Sequence, residues 1–456
     1  MRMRWIRESV TARTARDRKP RFRRRVALAV AATLAAVPLL AGCTVGGSTG
    51  GTTTLTVMIG AQDLTKAQIA DFEKKNPSIK IKIINTDQSR LNTMLASGNP
   101  PDITVSGAVG SANINARGLA TDLTPYLEKS KVLKERDLQP INNSFRWNGK
   151  KSGTGPIYGI VKDWSQDNTL WYNTALFDKA HVPYLSDTQP TSYDKLMDVA
   201  RQLTTTEGGK TTTYGLGLEW AWSLYGPMAA MVMQQGGHLY NSDLSKIDFN
   251  SDAARRAFAW YVDFAQSGVG PTSLNPLPDG SDYSTVAAGR MAITQDGYWF
   301  GGNFAAPNSL TTMRMAPAPI MGDKQVAFSY SGQGWWIPAK SKHKDAAWKL
   351  LEYYMAGPPA VARAESGWGI PSLKSLMSKM PQKTPYQKEA YAVAKNELNH
   401  SASLPDSPYI SMDLLNTTID KYLQLAIKKQ MTVDQACGAL TTDLNKTLAQ
   451  GKSQIG

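Results

Sequence analysis

Residues 155–177, GPIYGIVKDWSQDNTLWYNTALF, are the stretch whose reading decides the fold. A glycine-flanked apolar strand runs into the turn Lys162-Asp163-Trp164 and then into a second, aromatic strand that reaches Asn173. Glycine and polar clusters of this kind bound short strands. The chain before the stretch reads as one α/β unit and the chain after it as another. The stretch is therefore expected to bridge two lobes and border any cleft between them, rather than to be a strand-turn-strand inside one domain.

Upstream, Leu55, Val57 and Ile59 recur at period two, and a helical pattern carrying Ile69 and Phe72 stops at Asn76-Pro77. Ile79, Ile81 and Ile83 alternate with lysines, a half-buried strand, and a helix with Leu91, Met94 and Leu95 closes at Gly98. Residues 102–105 are the third strand. This β-α-β-α-β order implies a parallel sheet with ligand sites beyond the carboxyl ends of its strands. Those ends carry Gln62, Asp87 and Ser106.

Downstream, Tyr193, Leu196, Met197, Ala200 and Leu203 share a helical face, and residues 213–218 read as a strand before the aromatic run EWAWSLY at 219–225. A helix through Ala254, Phe258 and Tyr261 starts at Asn250 or Ser251 and ends at Gly268. Residues 289–294 lead as a strand into QDGYW at 295–299, a second acid-aromatic turn. Strands near 313–316 and 334–338, a helix through Leu350 and Tyr354, and two closing helices complete the chain. The second of these opens at the capping box Thr432-Val433-Asp434-Gln435.

The 456 residues are 42% hydrophobic and 19% charged, a globular composition long enough for more than one core. The net charge of +14 suggests an anionic partner, but nine of those charges fall in residues 1–25, so nucleic acid is excluded as the partner. The apolar segment 26–41 that follows is 16 residues long, short of the ~20 of a membrane span. It ends at Leu40-Ala41-Gly42-Cys43, which looks like a lipobox, with residues 1–42 a lipoprotein signal peptide and Cys43 the lipidated amino terminus. Export runs outside the cytoplasm, by the general secretory route or, given Arg23, Arg24 and Arg25, the twin-arginine route. Residues 43–53 read as a flexible Gly/Ser/Thr tether. With Cys43 lipidated, Cys437 has no disulfide partner and reads as a small core residue.

In order, the lipobox, NPPDI at 99–103, YGI at 158–160 running to LWYN at 170–173, AAGRMAI at 287–293 before DGYW at 296–299, GWWIPAK at 334–340 and GIPS at 369–372 resemble an extracellular solute-binding protein of family 1. These are the maltose-binding-protein-like receptors of ABC importers. The resemblance covers nearly all of residues 53–450. It implies a two-lobed α/β, periplasmic-binding-protein-like fold of type II. The first lobe would take residues 54–160 plus about 290–345, the second 165–288 plus about 346–456. The chain would cross between lobes near 160–168, 285–297 and 340–372, and the lobes would close on ligand by a hinge motion.

The resemblance also implies a monomeric, lipid-anchored receptor on the outer face of the plasma membrane. It would deliver a di- or oligosaccharide to ABC permease subunits, with no cofactor and no metal. Sugars need flat apolar faces for their C–H sides and paired hydrogen-bonding groups for their hydroxyls. Asp163, Trp164, Asp296, Tyr298 and Trp299 are the leading candidates. Trp222, Tyr225, Trp335 and Trp368 are further aromatic candidates, and Gln62, Asp87 and Ser106 further polar ones. Other solutes on the same fold (a polyamine, a phosphodiester or a peptide) and a secreted glycosidase with two carboxylates are the alternatives. No G-x-S-x-G elbow, HExxH helix or Walker loop is present, and the four histidines lack ligand spacing, so no catalytic residue is assigned.

Overall fold

A computed structural model describes residues 51–218, 224–277, 282–304, 311–329 and 332–455. The signal segment, Cys43, most of the tether and Trp222 lie outside the described residues.

The opening alternation gives β1 (Thr53–Met58), α1 (Lys66–Lys75), β2 (Ile79–Ile84), α2 (Gln88–Ala96) and β3 (Ile103–Gly107). Helix α1 starts where Thr65 and Gln68 cap each other reciprocally. β1 pairs in parallel with β2, Leu55 opposite Ile81, and with β3, as the βαβ order requires. A short helix α3 (Ser111–Ala116) follows, and then β4 (Ile160–Trp164). The second half of the bridge is β5 (Leu170–Asn173), and it enters a different sheet.

That second sheet continues with α4 (Tyr193–Leu203), β6 (Thr205–Glu207), β7 (Lys210–Leu218), α5 (Tyr225–Gln234) and α6 (Asp252–Ser267), then β8 (Met291–Gln295) and β9 (Met313–Ala316). Its strand order is β9-β5-β8-β7-β6. The chain then returns for β10 (Gln333–Trp336), α7 (Lys344–Ala356), α8 (Pro358–Ser366) and β11 (Ile370–Pro371). These complete a first sheet of order β11-β4-β10-β3-β1-β2. Helices α9 (Pro385–Glu397), α10 (Met412–Ile427) and α11 (Val433–Ile455) close the chain.

The division of the chain differs from the sequence expectation. Residues 291–295 and 313–316 were expected in the first lobe, but β8 pairs with β5 and β7, and β9 with β5, in the second sheet. Helix α7, expected in the second lobe, packs on β1 and β4 of the first sheet. Among the described residues, the passages between sheets are therefore 165–169, 317–329 and 372–384, and residues 285–297 make no crossing. Period-two alternation identifies a strand but carries no information about which distant strand it pairs with.

Leu216, Phe258, Ile293, Ile419 and Leu440 belong to one apolar core on the second sheet. Leu55, Ile103, Ile160, Trp335 and Leu350 belong to another, beneath the first. On β5, Leu170 and Tyr172 belong to the former and Trp171 to the latter, since consecutive strand side chains face opposite ways. Gly215 is required where α4 crosses β7, because a Cβ there would sit 1.9 Å from the Ala200 carbonyl oxygen.

Candidate ligand site

The passage 165–169 is wholly buried yet polar, and most of its side chains are hydrogen-bonded, the Gln166 Oε1 atom excepted. Asn168 Nδ2 donates to Val326 O at 3.1 Å, Gln166 Nε2 to Ala394 O at 3.1 Å, and Thr169 Oγ1 to Asp296 O at 2.5 Å. This ties the first passage to the second and to α9. Immediately before it, β4 presents Lys162, Asp163 and Trp164.

Asp163 and Trp164 turn to different surroundings. Asp163 lies against Gly369 and α8, with Oδ2 3.6 Å from Arg363 Nε and 4.0 Å from Lys162 Nζ, and no hydrogen bond to that oxygen. Burial raises its carboxyl above the ordinary range, against the opposing pull of Lys162 and Arg363. Lys162 Nζ holds Asp63 Oδ1 at 2.6 Å. Burial pushes that amine down, but Asp163, Tyr354 and Asp63 outweigh it and leave it above its usual value. The Arg363 guanidinium lies 4.0 Å over the Tyr354 ring, which stacks on Trp335 at 3.7 Å and 7°. Arg363 Nε and Nη1 and the Tyr354 hydroxyl are buried without partners.

Two of the aromatic candidates, Trp299 and Trp368, come from different sheets and meet. Trp299 follows β8 in the turn Tyr298–Phe304, and its backbone N–H donates to Ser165 Oγ at 3.0 Å. Its ring lies 5.9 Å from that of Trp368, which precedes β11 of the first sheet and is 43% exposed. Trp368 is followed by Gly369, whose backbone lies against the Asp163 side chain. Trp299 and Trp368, remote in sequence, thus meet, and Gly369 next to Trp368 lies against the Asp163 side chain.

Several other candidates sit elsewhere. Asp296 is buried and pins its turn: its N–H donates to Thr169 O at 2.9 Å, and its carboxylate accepts from Thr294 Oγ1 at 3.2 Å and lies beside Asp282. Tyr298 packs under the turn beside Tyr386, and Trp335 is core. Tyr225 is buried, donating its hydroxyl to Pro405 O at 2.5 Å. Asp87 caps α2 through Arg90 N–H, Gln62 is exposed, and the Ser106 Oγ is buried without a partner on β3 opposite Gly334. Acid-aromatic pairs recur at tight turns as well as at sugar sites, and sequence does not separate the two. Lys162 and Arg363 were missed; the charged Lys162 inside an apolar strand was the available signal for one of them.

Trp164 lines a cavity of about 410 Å³ with Val109, Ile141 and Ser152 from the first lobe and Leu244, Leu404 and Asp406 from the second. The void therefore lies apart from most of the aromatic candidates. Asp406 accepts from Ala112 N–H at 2.9 Å, and burial lifts its carboxyl to about 6.

A family profile described as bacterial extracellular solute-binding protein matches residues 67–389. The chain belongs to that family. Membership places this solute-binding protein outside the cytoplasm and gives it the role of a receptor. The fold is shared with an ABC substrate-binding protein from Listeria monocytogenes in complex with cycloalternan, at 20% identity and TM-score 0.73, covering 87% of this chain and 99% of that one. It is shared equally with an ABC transporter solute-binding protein from Thermotoga lettingae bound with α-D-tagatose, at 23% identity, TM-score 0.73 and coverage of 87% and 100%. A sugar-binding protein MalE from Xanthomonas citri gives 21% identity, TM-score 0.66 and coverage of 88% and 99%. A search of curated sequences finds no match. The two-lobed α/β expectation is met, and among the described residues no helix is long and apolar enough to cross a membrane.

Proposed function

We propose that this solute-binding protein is the sugar receptor of an ABC importer, anchored by lipid at Cys43 and handing a di- or oligosaccharide to the membrane permease. The carrying observation is the meeting of Trp299 and Trp368, one from each lobe, with Gly369 next to Trp368 lying against the Asp163 side chain. The rings offer the flat apolar faces that the C–H side of a pyranose requires, and Asp163 Oδ2 and Arg363 Nη1 offer an acceptor and a donor to hydroxyls. The sugars named with the structural relatives support the same solute class. Hinge movement about residues 165–169, 317–329 and 372–384 would open this place to solvent and close it on ligand.

Calorimetry with maltose, mannobiose and tagatose tests the reading. Trp299→Ala and Asp163→Ala should each weaken the bound sugar at least tenfold, about 1.4 kcal/mol, with little change in melting temperature. Unchanged affinity in both variants removes these residues from the site. A bound oligosaccharide recovered intact marks a receptor, and a cleaved one a hydrolase. Cys43→Ala should release the protein from the membrane fraction.

A further inference from the structure

Residues 403–411 of the second lobe reach the first lobe at the start of α3. Asp406 is buried there; its carboxyl accepts from the backbone N–H of Ala112 at 2.9 Å and from that of Gly110, and Pro408 O accepts from Asn113 Nδ2 at 2.7 Å. The segment is fixed to its own lobe on both sides of Asp406. Pro405 O accepts from the Tyr225 hydroxyl at 2.5 Å, Ser407 Oγ donates to Leu244 O at 2.7 Å, and Leu404 and Ile410 are buried in the second core. Helix α3 is tied in turn to the first lobe, Ser111 Oγ donating to Ala108 O and Ser144 O. With each side anchored in its own lobe, neither can follow the other. Movement of the lobes apart must break all three bonds and return the Asp406 carboxyl to water.

A buried carboxyl favours its neutral form unless a cation or several donors offset the loss of water. Around Asp406 no cation does so. Helix α3, SANINA, carries no charged side chain, and Asp406 is the one charged residue of 403–411. From the second lobe Tyr225 and Tyr240 face it, both held neutral by burial, which pushes their hydroxyls well above the ordinary tyrosine range. Lys151, in the wall of the adjoining cavity, and Asp413, at the start of α10, are exposed. Two backbone donors alone leave burial dominant, and the carboxyl rises from 3.8 to about 6.

We infer that Asp406 is a proton-linked latch between the lobes: closure carries its carboxyl from water into the contact with α3, and the neutral carboxyl holds the closed arrangement better than the carboxylate does. In the open arrangement the group titrates near 3.8 and in the closed one near 6, so closure takes up a proton between those limits. The closed arrangement is favoured most below about pH 4 and loses that advantage as pH rises through about 6. Between pH 7 and pH 5 the closed-to-open ratio should rise about tenfold. A solute that selects the closed arrangement gains apparent affinity in proportion to the closed fraction.

The full chain without added solute is followed by small-angle X-ray scattering from pH 5 to pH 8. Hydrogen exchange of the Gly110 and Ala112 amides, corrected for the intrinsic effect of pH, reports the opening equilibrium. The parent should become more compact as pH falls through about 6, with about tenfold greater protection of these amides at pH 5 than at pH 7. Asp406→Asn, neutral throughout, should show neither trend. Asn113→Ala loses one interlobe bond and should be less compact than the parent, which keeps the inference falsifiable should Asp406→Asn fail to fold. A parent indifferent to pH, the same trend in Asp406→Asn, or an Asn113→Ala variant as compact as the parent overturns the inference. Glu397 titrates in all three proteins, so the difference between their profiles belongs to the latch. No solute is present, so none of these results bears on sugar binding at Trp299.

Discussion

Replacing Glu397 with glutamine should flatten the pH dependence of the protein's unfolding. Glu397 ends α9 with no exposed surface, Oε1 accepting from Gln325 Nε2 at 2.8 Å and Oε2 from Ala318 N–H at 3.4 Å. Burial outweighs those two bonds and lifts the carboxyl from 4.5 to about 7. Its folded value therefore lies above its unfolded one, so the native state binds the extra proton between those limits. The contribution is fully present below about pH 4.5 and is lost as pH rises through about 7. At about 1.36 kcal/mol per pH unit, the loss amounts to at most about 3 kcal/mol. Glutamine stays neutral but offers one acceptor where the carboxyl has two, so the variant should carry a pH-independent offset and gain on the parent by up to that amount between pH 4.5 and 8. Urea unfolding at intervals from pH 4.5 to 8 reads this directly. Asp406, also lifted, titrates in both proteins, so the difference between the two profiles isolates Glu397. Parallel profiles would refute the reasoning.

Two further changes probe the first lobe. Trp335→Ala removes a fully buried ring stacked on Tyr354 and should cost about 3–5 kcal/mol in chemical denaturation; a cost below about 1 kcal/mol would show that the stack is not a core contact. Lys162→Met leaves Asp63 buried without its partner and should cost about 3–5 kcal/mol, much of it recovered in Lys162→Met/Asp63→Leu. Equal loss in the single and double variants would mean that the pair is not the source.

Local rules carried most of the fold. The alternating Ile79, Ile81 and Ile83 became β2, the capping box at Thr432 and Gln435 formed with both bonds, and Ser251 and Gly268 bound α6. Each of these is decided within one or two turns of chain. What failed was decided at long range. Met291 to Gln295 are all buried, so the segment was legible as a strand, but its partners Tyr172 and Leu216 lie more than 70 residues away. The site divides on the same line. Trp299 and Trp368 were legible as candidates, while Asp296, in a turn of the same composition, is taken up by Thr294 and its own backbone.

The bridge that decided the fold gives the last two side chains of β4 different surroundings. Strand alternation turns Asp163 toward α8 and Gly369 and Trp164 toward the cavity. One step later the chain enters residues 165–169, whose side chains are fixed to the second passage and to α9. A change in the angle between the sheets must be absorbed in that passage and its two companions. A ligand held between the lobes can shift them only by its difference in affinity between their arrangements. Trp299 is poised to sense that difference, because its ring meets the opposite lobe at Trp368 while its backbone is held by Ser165 inside the passage itself.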